Sequence, residues 1–289
     1  MFENLEIISK GEILMNNVFS DKITLNNGVE MPQIGFGVFK MEEEQPIVDA
    51  LEAGYRAIDT AKRYENEAMV GHAIASAGIP RNELFITSKV WDTDQGYDET
   101  LRAYETTLNE MKLDYLDLYM IHWPIKEHFN ETWRAMERLL EEKRVRAIGV
   151  CNYEQPLLER LLAEHNIIPA IDQVETHPYF SQVDLNKYLK NNNIQHQSWG
   201  PLGQNKSGLL TDPLLHAIAE RYEKTAAQVV IRWHLQRGSV VIPKSQTTSR
   251  IIENISIADF RLDENEMAMI EQLNRNERVS HDPMQRFEN

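Results

Sequence analysis

The sequence predicts a (β/α)8 TIM barrel with an N-terminal β-hairpin, on three observations. Eight apolar runs of strand length recur from end to end, helix-length amphipathic segments separate them, and the chain has 289 residues to hold the series. Near-continuous apolar strands alternating with helices mean a parallel sheet covered on its faces, and eight such units usually need ~250 residues. A doubly wound sheet is the competing arrangement and normally opens on a Gly-rich turn. Here Gly35-Phe36-Gly37-Val38-Phe39-Lys40 begins that pattern but puts Lys where the third Gly is required, so the dinucleotide fingerprint is absent.

Taken in order, Asn26-Asn27-Gly28 between residues 22–25 and 31–33 predicts the hairpin, because Asn and Gly tolerate the positive φ of a tight turn. The strands follow at residues 34–37, 56–59, 84–89, 116–122, 147–150, 168–174, 195–199 and 240–242. Helices are predicted over residues 66–77, 97–111, 130–142, 156–163, 183–191 and 263–273, several opening with acidic residues or Pro. No Pro-rich, Ser-rich or single-sign charge run marks a linker, so residues 1–289 are expected to form one domain. Residues 1–20 lack periodicity and are read as an extension or loose cap. Residues 274–289 form a short polar tail, which predicts an open pocket without a long apolar closing loop.

A formal charge of −15 argues against a nucleic-acid partner, since phosphate contacts demand a basic face. An anionic ligand must then meet a local basic pocket set against an unfavourable global field. The single cysteine excludes an intrachain disulfide and fits a reducing cytoplasm. Acidic residues stand at the N-terminus where a signal peptide needs basic ones, and no uncharged apolar stretch nears the ~20 residues of a membrane span. A cytoplasmic protein with no membrane partner is expected.

Several chemistries drop out for want of their motifs. There is no Gly-x-Ser-x-Gly elbow, no Gly-x4-Gly-Lys loop, no His-Glu-x-x-His and no paired cysteines, and the nine histidines are scattered, so no metal site is expected. What remains is a set at the ends of the second, third and fourth strands: Asp59, Tyr64, Lys89 and His122. Strand ends of a barrel converge on one mouth, so these four are expected to meet. A tyrosine near its reference pKa of ~10 is a poor proton donor at neutral pH; a neighbouring ammonium, Lys89, is expected to lower it. Asp59 would keep a buried Lys89 ionised, and His122 would hold the reacting oxygen. Singly each has an ordinary reading: Asp59 as a helix cap, Tyr64 as a packing ring, Lys89 as a snorkelling side chain, His122 as a core histidine. Their joint placement points to a site.

The stretches around them resemble the aldo-keto reductase family. These are Asp59-Thr60-Ala61-x-x-Tyr64-x-Asn66-Glu67 with Gly71, Ser88-Lys89-Val90-Trp91, and Asp117-Leu118-Tyr119-Met120-Ile121-His122-Trp123-Pro124. The likeness continues through Gly149-Val150-Cys151-Asn152-Tyr153, Asp172-Gln173-Val174-Glu175, Ser198-Trp199-Gly200-Pro201-Leu202 and Ile242-Pro243-Lys244-Ser245, covering residues 22–278. It is strongest to the bacterial branch that includes the 2,5-diketogluconate reductases. The resemblance implies NADPH-dependent reduction of aldehydes and small ketones, with Tyr64 as general acid, Lys89 and Asp59 tuning it and His122 placing the carbonyl. It also implies a monomer.

After the last strand, residues 243–250 gather the groups a phosphate needs. Lys244 supplies a point charge, Arg250 a planar fork for a 2′-phosphate, and Ser245 and Thr247 further contacts, which favours NADPH over NADH. By the same resemblance Asn152 and Gln173 would bind the nicotinamide carboxamide, Trp199 would face the ring, Leu202 and Gly203 would approach the pyrophosphate, and Glu253 and Asn254 would reach adenine. Cys151, in the same stretch, replaces the commoner Ser, and Asp172 the commoner Asn, placing a possible negative charge near the ring. Phe39, Trp91 and Trp123 are expected to line the substrate pocket. Two rival readings are a Schiff-base aldolase using Lys89 and a non-catalytic NADPH-binding regulatory subunit.

Overall fold

The computed structural model describes residues 18–288; residues 1–17, most of the expected extension, lie outside the described residues, as does Asn289. The two-stranded hairpin pairs β1 (Lys22–Thr24) antiparallel with β2 (Glu30–Pro32) around Asn26-Asn27-Gly28. Eight parallel strands follow in sequential order: β3 (Phe36–Gly37), β4 (Ala57–Asp59), β5 (Phe85–Val90), β6 (Leu116–Ile121), β7 (Val145–Cys151), β8 (Ile171–Glu175), β9 (Gln195–Trp199) and β10 (Val240–Val241). The sheet closes on itself where Ile34 bridges Val241 and Gly35 N and Gly37 N donate to Val241 O and Pro243 O, at 2.9 and 3.1 Å. This is the expected (β/α)8 barrel.

Strand composition explains strand position. Every residue of β5 and β6 is buried, as befits strands packed on both faces. One set of side chains, including Ala57, Phe85, Leu118, Met120, Ala147, Ile171 and Val240, fills the barrel interior together with Leu25 and Met31 from the hairpin. Asn26 Nδ2 and Asn27 Nδ2 donate to Pro169 O and Arg146 O, both at 2.9 Å, so the hairpin plugs the barrel at the entry ends of the strands. The stretch at residues 168–174 begins as strand only at Ile171: Pro169 has no N–H for the ladder, and Ile168 is exposed.

The outer layer is helical: α1 (Gln45–Glu52), α2 (Glu67–Ser76), α3 (Tyr97–Met111), α4 (Phe129–Glu141), α5 (Gln155–Glu164), α6 (Val183–Asn191), α7 (Pro213–Arg221), α8 (Ala226–Gln236), α9 (Thr248–Ile255), α10 (Glu264–Glu271) and α11 (Pro283–Glu288). The described end of the expected loose cap is in fact fixed. Val18 bridges Ser256, and Phe19 is buried with its N–H donating to Ile255 O at 2.9 Å, because an apolar pair beside the end of α9 finds cover there. The C-terminal tail is also packed: Arg275 N and Glu277 N donate to Tyr179 O, Val279 N donates to Glu175 Oε1 at 2.6 Å, and Phe287 lies edge-on to Phe129. The tail thus runs over the mouth end of the barrel, narrowing from that side the open rim expected of a free polar tail.

Gly71 marks a tight helix contact of this layer. A Cβ on it would lie 2.2 Å from Met111 O, at the end of α3, and no side chain is there to give way. Gly71→Ala is therefore expected to cost about 1–3 kcal/mol or more. Gly78→Ala, at φ +65° with nothing within 4 Å, is expected to cost about 1–2 kcal/mol from backbone strain alone. Urea unfolding of the two variants and the parent checks the order.

Candidate active site

The C-terminal ends of β4, β5 and β6 bring the four predicted residues together. Lys89, on β5, is fully buried; its Nζ donates to Asp59 Oδ1 at 2.6 Å and to Thr60 O at 2.9 Å, and stands 3.5 Å from Tyr64 Oη. Gln173 Nε2 donates to the other Asp59 oxygen at 2.7 Å, so both carboxylate oxygens are held. The ring centroid of His122, which follows β6, lies 5.5 Å from that of Tyr64.

Tyr64 is placed by a local device. It ends a single 3-10 turn, Lys62–Tyr64, closed by Glu65 at φ +56°. Asn66 anchors the far side of that turn: its Oδ1 accepts from Thr60 Oγ1 at 2.7 Å and its Nδ2 donates to Val38 O at 2.9 Å. In the sequence Asn66 stood as the first residue of a predicted helix, a helix-start signal that says nothing of these two bonds.

The charges follow from burial. Burial would lower the pKa of Lys89 and is the largest single effect, yet the charge and hydrogen bond of Asp59 together with Tyr64 and Cys151 offset it, and the ammonium is held above its ordinary value. Tyr64 is pushed up to about 12, because burial of the phenol exceeds the downward pull of Lys89. This corrects the expected direction: Lys89 opposes the rise without reversing it, and the proton stays on Tyr64 at neutral pH. His122 is held well below its usual value by burial and then by the positive charges of Lys89, Arg286 and Arg63, so its imidazole is neutral. Its Nδ1 is buried without a hydrogen-bond partner.

Three predicted pocket aromatics lie at this mouth. Phe39, 45% exposed, packs 5.0 Å from the Tyr64 ring; Trp91 lies edge-on 5.2 Å from His122; Trp123 is buried beneath the Arg286 guanidinium at 4.6 Å. Asn152, at φ +63°, donates from Nδ2 to His122 O and accepts from Trp199 Nε1, both at 2.9 Å. Together with Gln173 these residues form one connected polar rim. Cys151 lies deeper, buried with its Sγ 3.9 Å from Met120 Sδ, and burial pushes its thiol well up. Such a thiol is no nucleophile.

Asp172 departs from expectation. Side chains alternate along β8, so with Gln173 aimed at Asp59 its neighbour faces the helical layer, where Asp172 Oδ1 accepts from Tyr153 N at 3.4 Å. Burial raises its pKa well above the carboxylate range, so it is a neutral acid behind the strand and adds no charge at the mouth.

The segment after β10 presents the basic residues noted in the sequence at the surface. Lys244 and Arg250 are exposed, and Lys244 Nζ donates to Lys40 O at 3.2 Å. Thr247 N donates to Ser245 Oγ at 3.1 Å, Thr247 provides no side-chain cap for α9, and Thr248 Oγ1 donates to Asp49 Oδ2. Glu253 Oε1 accepts from Thr225 Oγ1, while Asn254 is buried. Leu202 packs at the edge of the core, and Gly203, at φ +69°, starts the short turn beyond β9, where a Cβ would collide with Ser207 Oγ.

Comparison with known proteins gives the family of the chain. The sequence profile of the aldo/keto reductase family matches residues 27–275. The chain belongs to the aldo/keto reductase family. It is 48% identical over 273 residues to the glyoxal reductase of Bacillus subtilis strain 168, covering 93% of this chain and 98% of that protein. Identity to the methylglyoxal reductase DkgA of Salmonella typhimurium is 44% over 268 residues, covering 91% and 97%. Among solved structures, the Bombyx mori aldo-keto reductase in complex with NADP superposes with a TM-score of 0.85 at 34% identity, covering 91% and 96% of the two chains. Gox0644 in its apo form gives 0.87 at 41% identity, covering 91% and 97%. Among the described residues no helix is long and apolar enough to cross a membrane.

Lys89 and Asp59 share one buried pair, so removing one charge strands the other. Lys89→Met is expected to cost about 3–5 kcal/mol in urea unfolding, and the double variant Asp59→Leu, Lys89→Met appreciably less.

Proposed function

We propose that this aldo/keto reductase family member reduces aldehydes and small ketones with NADPH, Tyr64 acting as general acid. The observation that carries the reading is the Lys89 ammonium held 3.5 Å from Tyr64 Oη inside a buried pair with Asp59. Its relatives support the chemistry: they include a glyoxal reductase and a methylglyoxal reductase, and a structural neighbour was solved with NADP.

The residues present fit the cofactor. Lys244, Ser245, Thr247 and Arg250 at the uncapped start of α9 would hold its phosphates, with Arg250 forking onto the 2′-phosphate. Asn152, Gln173 and Trp199 would hold the nicotinamide end, Leu202 and Gly203 the pyrophosphate, and Glu253 and Asn254 the adenine. When bound, NADPH supplies the hydride for the carbonyl carbon.

The chain's own part is proton delivery and aim. Tyr64 keeps its proton at neutral pH until a carbonyl oxygen gains negative charge beside it, and then releases it to that oxygen. Lys89 stabilises the phenolate left behind, and Asp59 keeps Lys89 charged and fixed. The neutral His122 directs the carbonyl without competing as a cation. Phe39 and Trp91 exclude water from the mouth.

The same geometry disfavours an imine-forming lysine. An ammonium with raised pKa, fully buried and bonded to Asp59 and Thr60, has no free lone pair to attack a carbonyl. Borohydride trapping of a carbonyl substrate on Lys89 would overturn that conclusion.

Tyr64→Phe is expected to lose at least ~10²-fold in kcat while NADPH affinity stays within a few-fold; near-normal turnover of butanal would remove Tyr64 from its role. Arg250→Ala is expected to weaken NADPH binding far more than NADH binding, read by fluorescence titration of both nucleotides.

A further inference from the structure

From the two ties that fasten residues 60–67 to β5, we infer that Glu67 is a positioning residue that holds Tyr64 at its distance from Lys89. The inference rests on the reductase reading above and deepens its account of proton delivery.

Tyr64 stands between two points of attachment to one strand. On its near side Thr60 N donates to Thr87 O at 3.0 Å, and Thr60 O accepts from Lys89 Nζ at 2.9 Å. On its far side Glu67 Oε1 accepts from Ser88 Oγ at 2.5 Å. Consecutive residues of β5 thus hold the chain shortly before Tyr64 and again shortly after it. Side chains alternate along a strand, so Lys89 points into the barrel while Ser88 points out to the helices, where the first residue of α2 meets it. Asn66 fastens the turn to Thr60 and Val38, whereas the tie from the far side of the turn to β5 falls to Glu67. Lys62, in the turn itself, pairs with Glu110 at the surface, where solvent weakens the bond.

Stability alone does not account for a carboxyl in this place. Glu67 is buried, its Oε2 has no hydrogen-bond partner, and burial lifts its pKa above the ordinary value although the hydroxyls of Ser88 and Thr107 pull the other way. Such a group costs folding free energy, and a local rule broken in this way marks a position held for function. Glu67 Oε1 also accepts from Thr107 Oγ1 of α3 at 3.0 Å. That second tie duplicates a contact α2 already makes, since Gly71 packs on the end of α3 with no room for a Cβ. The Ser88 tie therefore carries the distance between proton donor and cation. Tyr64 Oη and Lys89 Nζ are 3.5 Å apart, at the long end of a hydrogen bond, so a small outward drift of the turn would part them. Misplacing a reacting group by ~1 Å costs on the order of 10²-fold in rate.

The test measures butanal reduction at saturating NADPH, with urea unfolding beside it, in the parent, Glu67→Leu, Glu67→Gln, Ser88→Ala and Thr107→Val proteins. Glu67→Leu and Ser88→Ala are expected to lower kcat at least about tenfold while NADPH affinity stays within a few-fold. Glu67→Gln keeps the accepting oxygen and is expected to stay within a few-fold of the parent, as is Thr107→Val. Ser88→Ala and Thr107→Val each remove one hydrogen bond to the same oxygen and are expected to lower the urea midpoint alike, so a difference in kcat between them does not come from stability. Should Glu67→Leu fail to fold, Ser88→Ala decides. A kcat that follows the urea midpoint across the set, a glutamine as harmful as leucine, or near-parent turnover of Ser88→Ala overturns the inference. A second measurement needs no turnover: in NMR spectra of protein with isotopically labelled tyrosine Cζ carbons, the Tyr64 resonance, identified by its loss in Tyr64→Phe, reports the field of the neighbouring ammonium. It is expected to move in Glu67→Leu and Ser88→Ala and to keep its place in Glu67→Gln and Thr107→Val. A resonance unmoved in Ser88→Ala counts against the inference whatever the turnover. A parent that reduces no carbonyl while this pattern holds would sink the reductase reading alone.

Discussion

The buried pair of Lys89 and Asp59 is the constraint on which the mouth of this barrel depends. A lone ammonium at zero exposure would lose its proton or force the strand end to open. With Asp59 beside it the charge persists, and the carboxylate is itself fixed by Gln173 from across the barrel. Three strands that are distant in sequence are thereby tied through one polar centre. The pair contributes little to net stability as such, since desolvation offsets most of its attraction. Its value is that a cation stands permanently beside Tyr64 in a place where water does not screen it.

The electrostatics at that centre are balanced differently from the simplest expectation. Burial of the Tyr64 phenol outweighs the nearby ammonium, so Tyr64 holds its proton more firmly than a free tyrosine. In the proposed role, a donor of that kind leaks little to solvent and releases its proton only where negative charge develops against it. His122, neutral among three cations, is suited to accept or donate a hydrogen bond without adding a fourth charge.

Much of this was legible in the sequence because its signals were local. Strand-length apolar runs separated by amphipathic segments specify alternating β and α elements, and a parallel sheet of eight such units has few ways to close. Asp59, Lys89 and His122 could be placed because each ends, or follows, a strand whose direction is fixed by that topology. Asp172 was misjudged because one step along a strand reverses the face, and nothing in the residue alone says which face is the mouth. Asn66 and Arg286 carried no such signal. Asn66 acts through two hydrogen bonds to chain segments on either side of the Tyr64 turn, and Arg286 stacks on rings nearly two hundred residues away, in a tail whose polarity hides its packing.

The seam of the barrel has a consequence for how the protein comes together. Ile34 and Val241 meet across most of the chain, and the stretch proposed to hold the cofactor phosphates begins only two residues past that junction. Closing so long a loop is the entropically slowest kind of contact to form. The segment that bears Lys244 and Arg250 therefore takes its place beside the first barrel strand only once that seam has formed. Cofactor occupancy would act as a check on completeness, adding its binding free energy only to the closed barrel and drawing the folding equilibrium towards it.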